Sequence, residues 1–182
     1  MTEQSRDIIE TKRWLECVVI GENFCPFAKP VFDDNKILYI ASMEQDFELA
    51  LMTLIRECHH LDNTPDDETT LLIFSKGFKA FDDFLILIEL AENLLIDQGY
   101  EGVYQLAHFH PEYCFEGCEE AEAQNYTNRS PFPTLHIIRE ASIEKALQSV
   151  KSPENIPQRN IRHANKKGAD YWRSVLQSCI DS

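Results

Sequence analysis

The chain has 182 residues, of which 43% are hydrophobic and 26% charged, with a formal net charge of −14. That length supports one domain with a sizeable core, in an ordinary globular composition. The acidic excess disfavours a nucleic-acid or anionic-membrane partner, and no apolar run approaches the roughly 20 residues of a membrane span. The opening MTEQSRD has neither the basic start nor the apolar core of a signal peptide, which points to the cytoplasm. There the cysteines at 17, 25, 58, 114, 118 and 179 are expected as free thiols rather than as a disulfide framework.

Ser5 can cap a first helix to about Val19, with Ile8, Leu15, Val18 and Val19 on its apolar side and Gly21 as its stop. A compact loop with two prolines follows at 23–30, and Pro30 discourages helix at Lys29. Residues 36–41 (KILYIA) read as a buried strand. Ser42 and Gln45 form a capping-box pattern that opens a helix to about Leu61. A polar loop at 62–68 leads to a second strand at 69–74 (TTLLIF), ended by Ser75, Lys76 and Gly77. Asp82 or Asp83 starts an apolar helix through Ile96, closed by Gly99. Strands follow at 103–109 and 134–139, then a helix at 142–150 capped by Ser142. A linker at 152–157 places Pro157 at a helix start, Gly168 interrupts, and 169–179 forms the last helix. There is no repeat, low-complexity tract or coiled-coil heptad.

This order predicts a single α/β domain over 1–182, with a mostly parallel sheet of about four strands and helices on both faces. Parallel pairing is expected among 36–41, 69–74 and 103–109. In such sheets ligands sit beyond the carboxyl ends of the strands, which puts the 75–77 loop and the long loop after Phe109 on the same edge. A loop that long inside a compact domain is unusual unless functional or disordered, and its aromatic, proline-rich composition argues against disorder.

The candidate chemistry gathers in and around that loop. Strand alternation turns His108 and His110 the same way. Cys114 and Cys118, at a C-x3-C spacing, could join Cys25 or His136 around zinc. Only one tight ligand pair is present, however, so neither a stoichiometric zinc nor a cofactor is expected. Cys25 sits in a turn before Pro26; free N–H groups there and the charge of Lys29 would favour its thiolate, and a nearby histidine could serve as base. The plainer reading is a buried structural cysteine between Phe24 and Phe27. Asn128, Arg129 and Ser130 offer amide, guanidinium and hydroxyl donors in succession. With Arg139 they could clamp a carboxylate or phosphate, unless the arginines only hold the fold. Arg159 and Arg162 lie later in the chain. The acids at 116, 119, 120 and 122 read as a solvated loop face.

Four motifs together carry a resemblance: Cys25-Pro26-Phe27-Ala28, His110-Pro111-Glu112-Tyr113, Asn128 through Pro133, and His136 through Glu140. Their combination resembles a bacterial family known only as domain of unknown function 1415, from Trp14 through Arg159-Asn160. The resemblance implies no activity. The family pattern carries Cys25, His110, Arg129, His136, Arg139 and Glu140, and does not characteristically carry cysteine at 114 and 118, which weakens the zinc reading further. Cys25-Pro26-Phe27-Ala28 is also similar to the active-site motif of thioredoxin-like enzymes. Ala28 stands where their resolving cysteine would be, and the segment before Cys25 reads as helix where that fold has a strand.

Two functions are consistent with these residues. One is a cytosolic enzyme acting on a small anionic substrate, with Cys25 as nucleophile or thiol acid, His110 or His136 as base, and Arg129 with Arg139 as anion clamp. The other is a non-enzymatic module that binds a phosphorylated metabolite or an acidic peptide through the same arginines. Oligomeric state is not legible in the sequence.

Overall fold

The computed structural model describes residues 2–148 and 150–180. Helix α1 (Glu3–Trp14) is capped by Thr2 rather than Ser5: the Thr2 hydroxyl oxygen accepts the Ser5 N–H at 3.2 Å. It continues directly into a π-helical stretch, Leu15–Ile20. Gly21 caps that stretch, at a position where a Cβ would lie 2.5 Å from the Cys17 carbonyl oxygen. Contrary to the expectation from Pro30, Lys29 is helical, within α2 (Ala28–Asp33). Pro30 falls in the first turn, where the N–H it lacks would have no helical partner.

Strand β1 (Ile37–Ser42) leads to α3 (Phe47–Asn63). The cap is Asp46, whose carboxylate accepts the Leu49 N–H at 3.2 Å, whereas Ser42 ends the strand and accepts the Glu44 N–H. Next come β2 (Thr69–Phe74), α4 (Phe81–Asp97) and β3 (Tyr104–Phe109). The long loop contains a 3-10 turn at Ala123–Thr127 before β4 (Thr134–Arg139). Then α5 (Glu140–Leu147), α6 (Ile156–Lys167) and α7 (Ala169–Ile180) complete the chain. Helix α5 starts two residues ahead of Ser142 and stops short of the expected Val150; Ser149 lies outside the described residues. Ser142 therefore caps nothing and instead donates its hydroxyl to Glu68.

The fold is α/β, with a four-stranded sheet in the order β1-β2-β4-β3. It is mixed rather than mostly parallel: β1 and β2 pair parallel, while β4 pairs antiparallel with both β2 and β3. Strands β1, β2 and β3 still point the same way, as two helical crossovers require. The 110–133 loop contains no crossover helix, so the chain returns antiparallel, and β4 takes the seat between β2 and β3. Leu71, His136 and Ala107 fall side by side in this register. The ends of β2 and β3 and the start of β4 consequently share one edge.

One face carries Leu72, Phe74, Leu106, Leu135 and Ile137 against α3 and α4. There Leu54, Phe84 and Leu87 have no exposed surface, and burying each such side chain contributes about 1.5–3 kcal/mol. The opposite face carries Leu71 and Phe109 against Trp14, Leu15, Val18 and Val19, with Trp172 of α7 behind them. Among the described residues no helix is long and apolar enough to cross a membrane.

Candidate functional site

A cavity of about 190 Å³ lies on the α1 side of the sheet. Its floor is Thr69 and Leu71 of β2 with His136 of β4, which the register places side by side. The π-helical stretch supplies Leu15 and Val19, the loop into α2 supplies Cys25, and α2 itself begins with Ala28. Ile143 and Ala146 of α5 close the remaining side. Small side chains at 28, 69 and 146 leave the space unfilled. The lining is almost wholly apolar, and its polar groups are the Cys25 thiol, His136, Thr69 and the Glu68–Ser142 pair at its margin.

His136 is held by Thr69, with Nε2 2.7 Å from the hydroxyl oxygen. Burial of the ring lowers its pKa to about 4, so it is neutral at physiological pH. It nevertheless keeps some surface, and it lines the cavity.

Cys25 is fixed from behind by α6. Arg159 donates to the Asn23 carbonyl at 2.5 Å, and Asn160 donates to the Phe24 carbonyl at 2.7 Å. Burial pushes the Cys25 thiol pKa up. The N–H groups of Phe27 and Ala28, and the charge of Arg159, pull it down by less. The turn donors expected from the sequence are therefore present, but desolvation outweighs them and the resting group is a thiol. Lys29 pairs with Asp33 at 2.7 Å, and the charge that acts on Cys25 comes from Arg159.

His110 does not join this cavity. It is fully buried beside Phe81 and Phe84, ring centroids 5.1 and 5.2 Å away, toward the α4 side. Its Nε2 donates to the Phe78 carbonyl at 3.0 Å and its Nδ1 accepts the Glu112 N–H at 3.0 Å. Both nitrogens are occupied, and burial lowers its pKa. This histidine ties the long loop to the β2–α4 loop. Phe78 itself holds a φ of 57°, uncommon for a bulky residue, with its ring against Phe47 and Phe74. His108 stacks on Tyr113, whose ring also meets Phe81.

The expected arginine clamp does not assemble. Arg129 donates to the carbonyls of Tyr113 at 3.1 Å and Glu120 at 2.8 Å, over the Tyr126 ring. Arg139 donates to the carbonyls of Leu61 at 2.6 Å and Asp67 at 3.0 Å. They occupy opposite edges of the sheet, held apart by the length of β4, roughly 17 Å at about 3.3 Å per residue. Asn128 donates to the His108 carbonyl at 3.3 Å, and buried Ser130 donates to the Phe132 carbonyl at 2.6 Å. The Asn-Arg-Ser run is thus bonded to backbone, and neither arginine lines the cavity.

Asn125 does the work of organising the loop. Fully buried, it accepts the Phe115 N–H at 3.0 Å and donates to the Glu119 carbonyl at 2.8 Å. The sequence around it, Asn125-Tyr126-Thr127, fits the N-glycosylation pattern and carries no sign of this role. Cys114 donates to the Cys118 carbonyl at 3.4 Å, and Gln124 donates to the Cys118 sulfur. All six cysteines are free thiols. Among the described residues no three His, Cys, Asp or Glu side chains form a metal-binding group. The parts of the cavity that sequence reasoning missed, Glu68, Thr69 and Ser142, carried no motif; only the β2–β4 register and α5 bring them to Cys25.

A family described as "Protein of unknown function (DUF1415)" matches residues 7–174. The chain belongs to this family. The match includes every residue that lines the cavity, and also Arg159 and Asn160 behind Cys25. No curated protein and no solved structure matches the chain.

Proposed function

We propose that the protein binds a small, largely apolar molecule in the cavity on the α1 side of the sheet. One observation carries this reading: an apolar space of about 190 Å³ lined by both Cys25 and His136. Concave apolar sites with a few convergent polar groups are the usual form of small-molecule sites. An apolar cavity of about 150 Å³ is sufficient for a benzene ring. An anionic ligand fits less well, because no lysine or arginine lines the space and Glu68 stands at its margin.

A second reading, thiol catalysis, is favoured by Cys25 and His136 sharing one cavity. In it the Cys25 sulfur adds to an electrophilic carbon–carbon double bond of the bound molecule while His136 takes the thiol proton and returns it to the neighbouring carbon, so that the S–H and the π bond are replaced by C–S and C–H bonds. The low basicity of His136 and the raised pKa of Cys25 favour binding over catalysis in the resting protein.

Thermal unfolding and calorimetry with toluene test the binding reading. Toluene should raise the unfolding midpoint of the wild-type chain, and Ala28→Leu, which fills the space, should abolish most of that shift. An equal shift in the filled variant would place binding elsewhere. The pH dependence of Cys25 alkylation tests the second reading: a base role predicts a rate at least about tenfold slower in His136→Phe, whereas binding alone predicts no such dependence.

A further inference from the structure

The hydrogen bonds of His136 narrow the class of ligand, resting on the cavity as the binding site. Thr69 Oγ1 donates to the Ile137 carbonyl at 2.5 Å, which commits its one proton. The imidazole Nε2 lies 2.7 Å from the same oxygen and must therefore be the donor of that pair. A neutral imidazole has one N–H, so Nδ1 is left as a bare acceptor. No described residue donates to it, and it is not among the buried polar atoms sealed away without a partner, which include His108 Nδ1. The other polar groups offer little. The Cys25 thiol is a weak donor, and Glu68 receives the Ser142 hydroxyl.

Size and charge set the remaining limits. The volume is enough for one six-membered ring and one or two further heavy atoms. A carboxylate or phosphate would lose its water in an apolar space with no cation to meet it. A cation would have only the already bonded Glu68 at the margin. An apolar ring would fit but leave Nδ1 without a partner.

From the Thr69–His136 pair at the floor of the apolar cavity, we infer that the ligand is a neutral molecule of the phenol type, with a single ring, whose O–H donates to His136 Nδ1. The recognition is selection against charged molecules, with Nδ1 admitting a hydroxyl that the apolar lining would otherwise reject.

Titration calorimetry with toluene, phenol, benzoate and benzylamine tests this on the full-length reduced protein. Phenol and toluene should bind the wild type within about tenfold of each other, since the bond to Nδ1 offsets the hydroxyl desolvation. Benzoate and benzylamine should not bind. In His136→Phe, toluene binding should persist while phenol binding falls at least about tenfold. If that variant does not fold, Thr69→Val gives the second measurement: losing the oxygen that fixes the tautomer should weaken phenol severalfold and leave toluene unchanged. Nitrogen-15 spectra give an independent readout, in which His136 Nδ1 should resonate as an unprotonated nitrogen and shift on adding phenol. Binding of toluene without phenol, tighter binding of benzoate or benzylamine than of phenol, or a protonated Nδ1 would overturn the donor class while leaving the cavity as a site. Failure of all four ligands to bind would remove the cavity reading itself, and this inference with it.

Discussion

The two faces of the sheet are filled to different standards. Against α3 and α4, the side chains of Leu54, Leu72, Phe84, Leu87 and Ile137 have no exposed surface. Against α1 and the π-helical stretch, Trp14 and Leu71 are as deeply buried, but Thr69, His136, Ala28 and Ala146 surround open space. His110 and His136 divide in the same way. His110, toward the packed face, has a partner for each nitrogen, while His136 has one nitrogen held and one bare. Shared residue type is therefore no guide to shared surroundings; what sets His136 apart from His110 is an uncommitted nitrogen on a ring that lines the cavity.

The largest effect should come from truncation on the packed face. Leu54→Ala should cost about 4 kcal/mol, because its neighbours cannot collapse into the void. Leu15→Ala, beside space that already exists, should cost about 2 kcal/mol, near the lower limit for such changes. Urea unfolding at neutral pH measures both, and equal losses would mean that the two faces do not differ in packing.

The sequence conveyed the elements well because their signals are local. The run TTLLIF, with every residue buried, reads as a central strand, and Gly21 marks the end of the first helical stretch. The sheet order was not legible, since the place of β4 depends on what the 110–133 loop lacks, a crossover helix. Of the polar groups that line the cavity, Cys25 and His136 stand out in the sequence by residue type. Thr69, Glu68 and Ser142 do not, because register and helix placement bring them there. Arg129 and Arg139 misled for a related reason: a guanidinium that satisfies backbone carbonyls has the same sequence signature as one that binds an anion.

Acid should sharpen the contrast between the histidines. The folded protein holds His136 at about 4, below the ordinary value of about 6.5, so folding favours its neutral form. Its contribution is fully present above pH 6.5 and is lost as pH falls from there toward 4, by about 3 kcal/mol in all. Unfolding of wild type and His136→Phe at pH 7.5, 5.5 and 4 isolates it, because the carboxylates titrate in both. A difference between the two proteins that stays constant over this range would contradict the burial of the imidazole.

Smaller losses are expected where the long loop is tied together. Asn125→Ala removes two buried bonds and leaves their backbone partners unpaired, at a cost of about 2 kcal/mol in thermal or urea unfolding. Amide exchange should quicken around Phe115 and Glu119 without change in β2. Arg129→Lys loses the forked contact to Tyr113 and Glu120, for about 1 kcal/mol, and should leave toluene affinity within twofold of wild type. A tenfold loss of affinity there would return Arg129 to the binding site.

The difference between the faces is tested most directly by methyl NMR spectra of the protein during titration with toluene. Leu15, Val19, Leu71, Ile138 and Ile143, which line the cavity, should shift together and saturate with one binding constant, while Leu54, Leu72 and Leu87 of the packed face stay fixed. Saturable shifts confined to Leu51, Ile55 and Leu94 in the groove between α3 and α4, with the cavity methyls unmoved, would contradict the account.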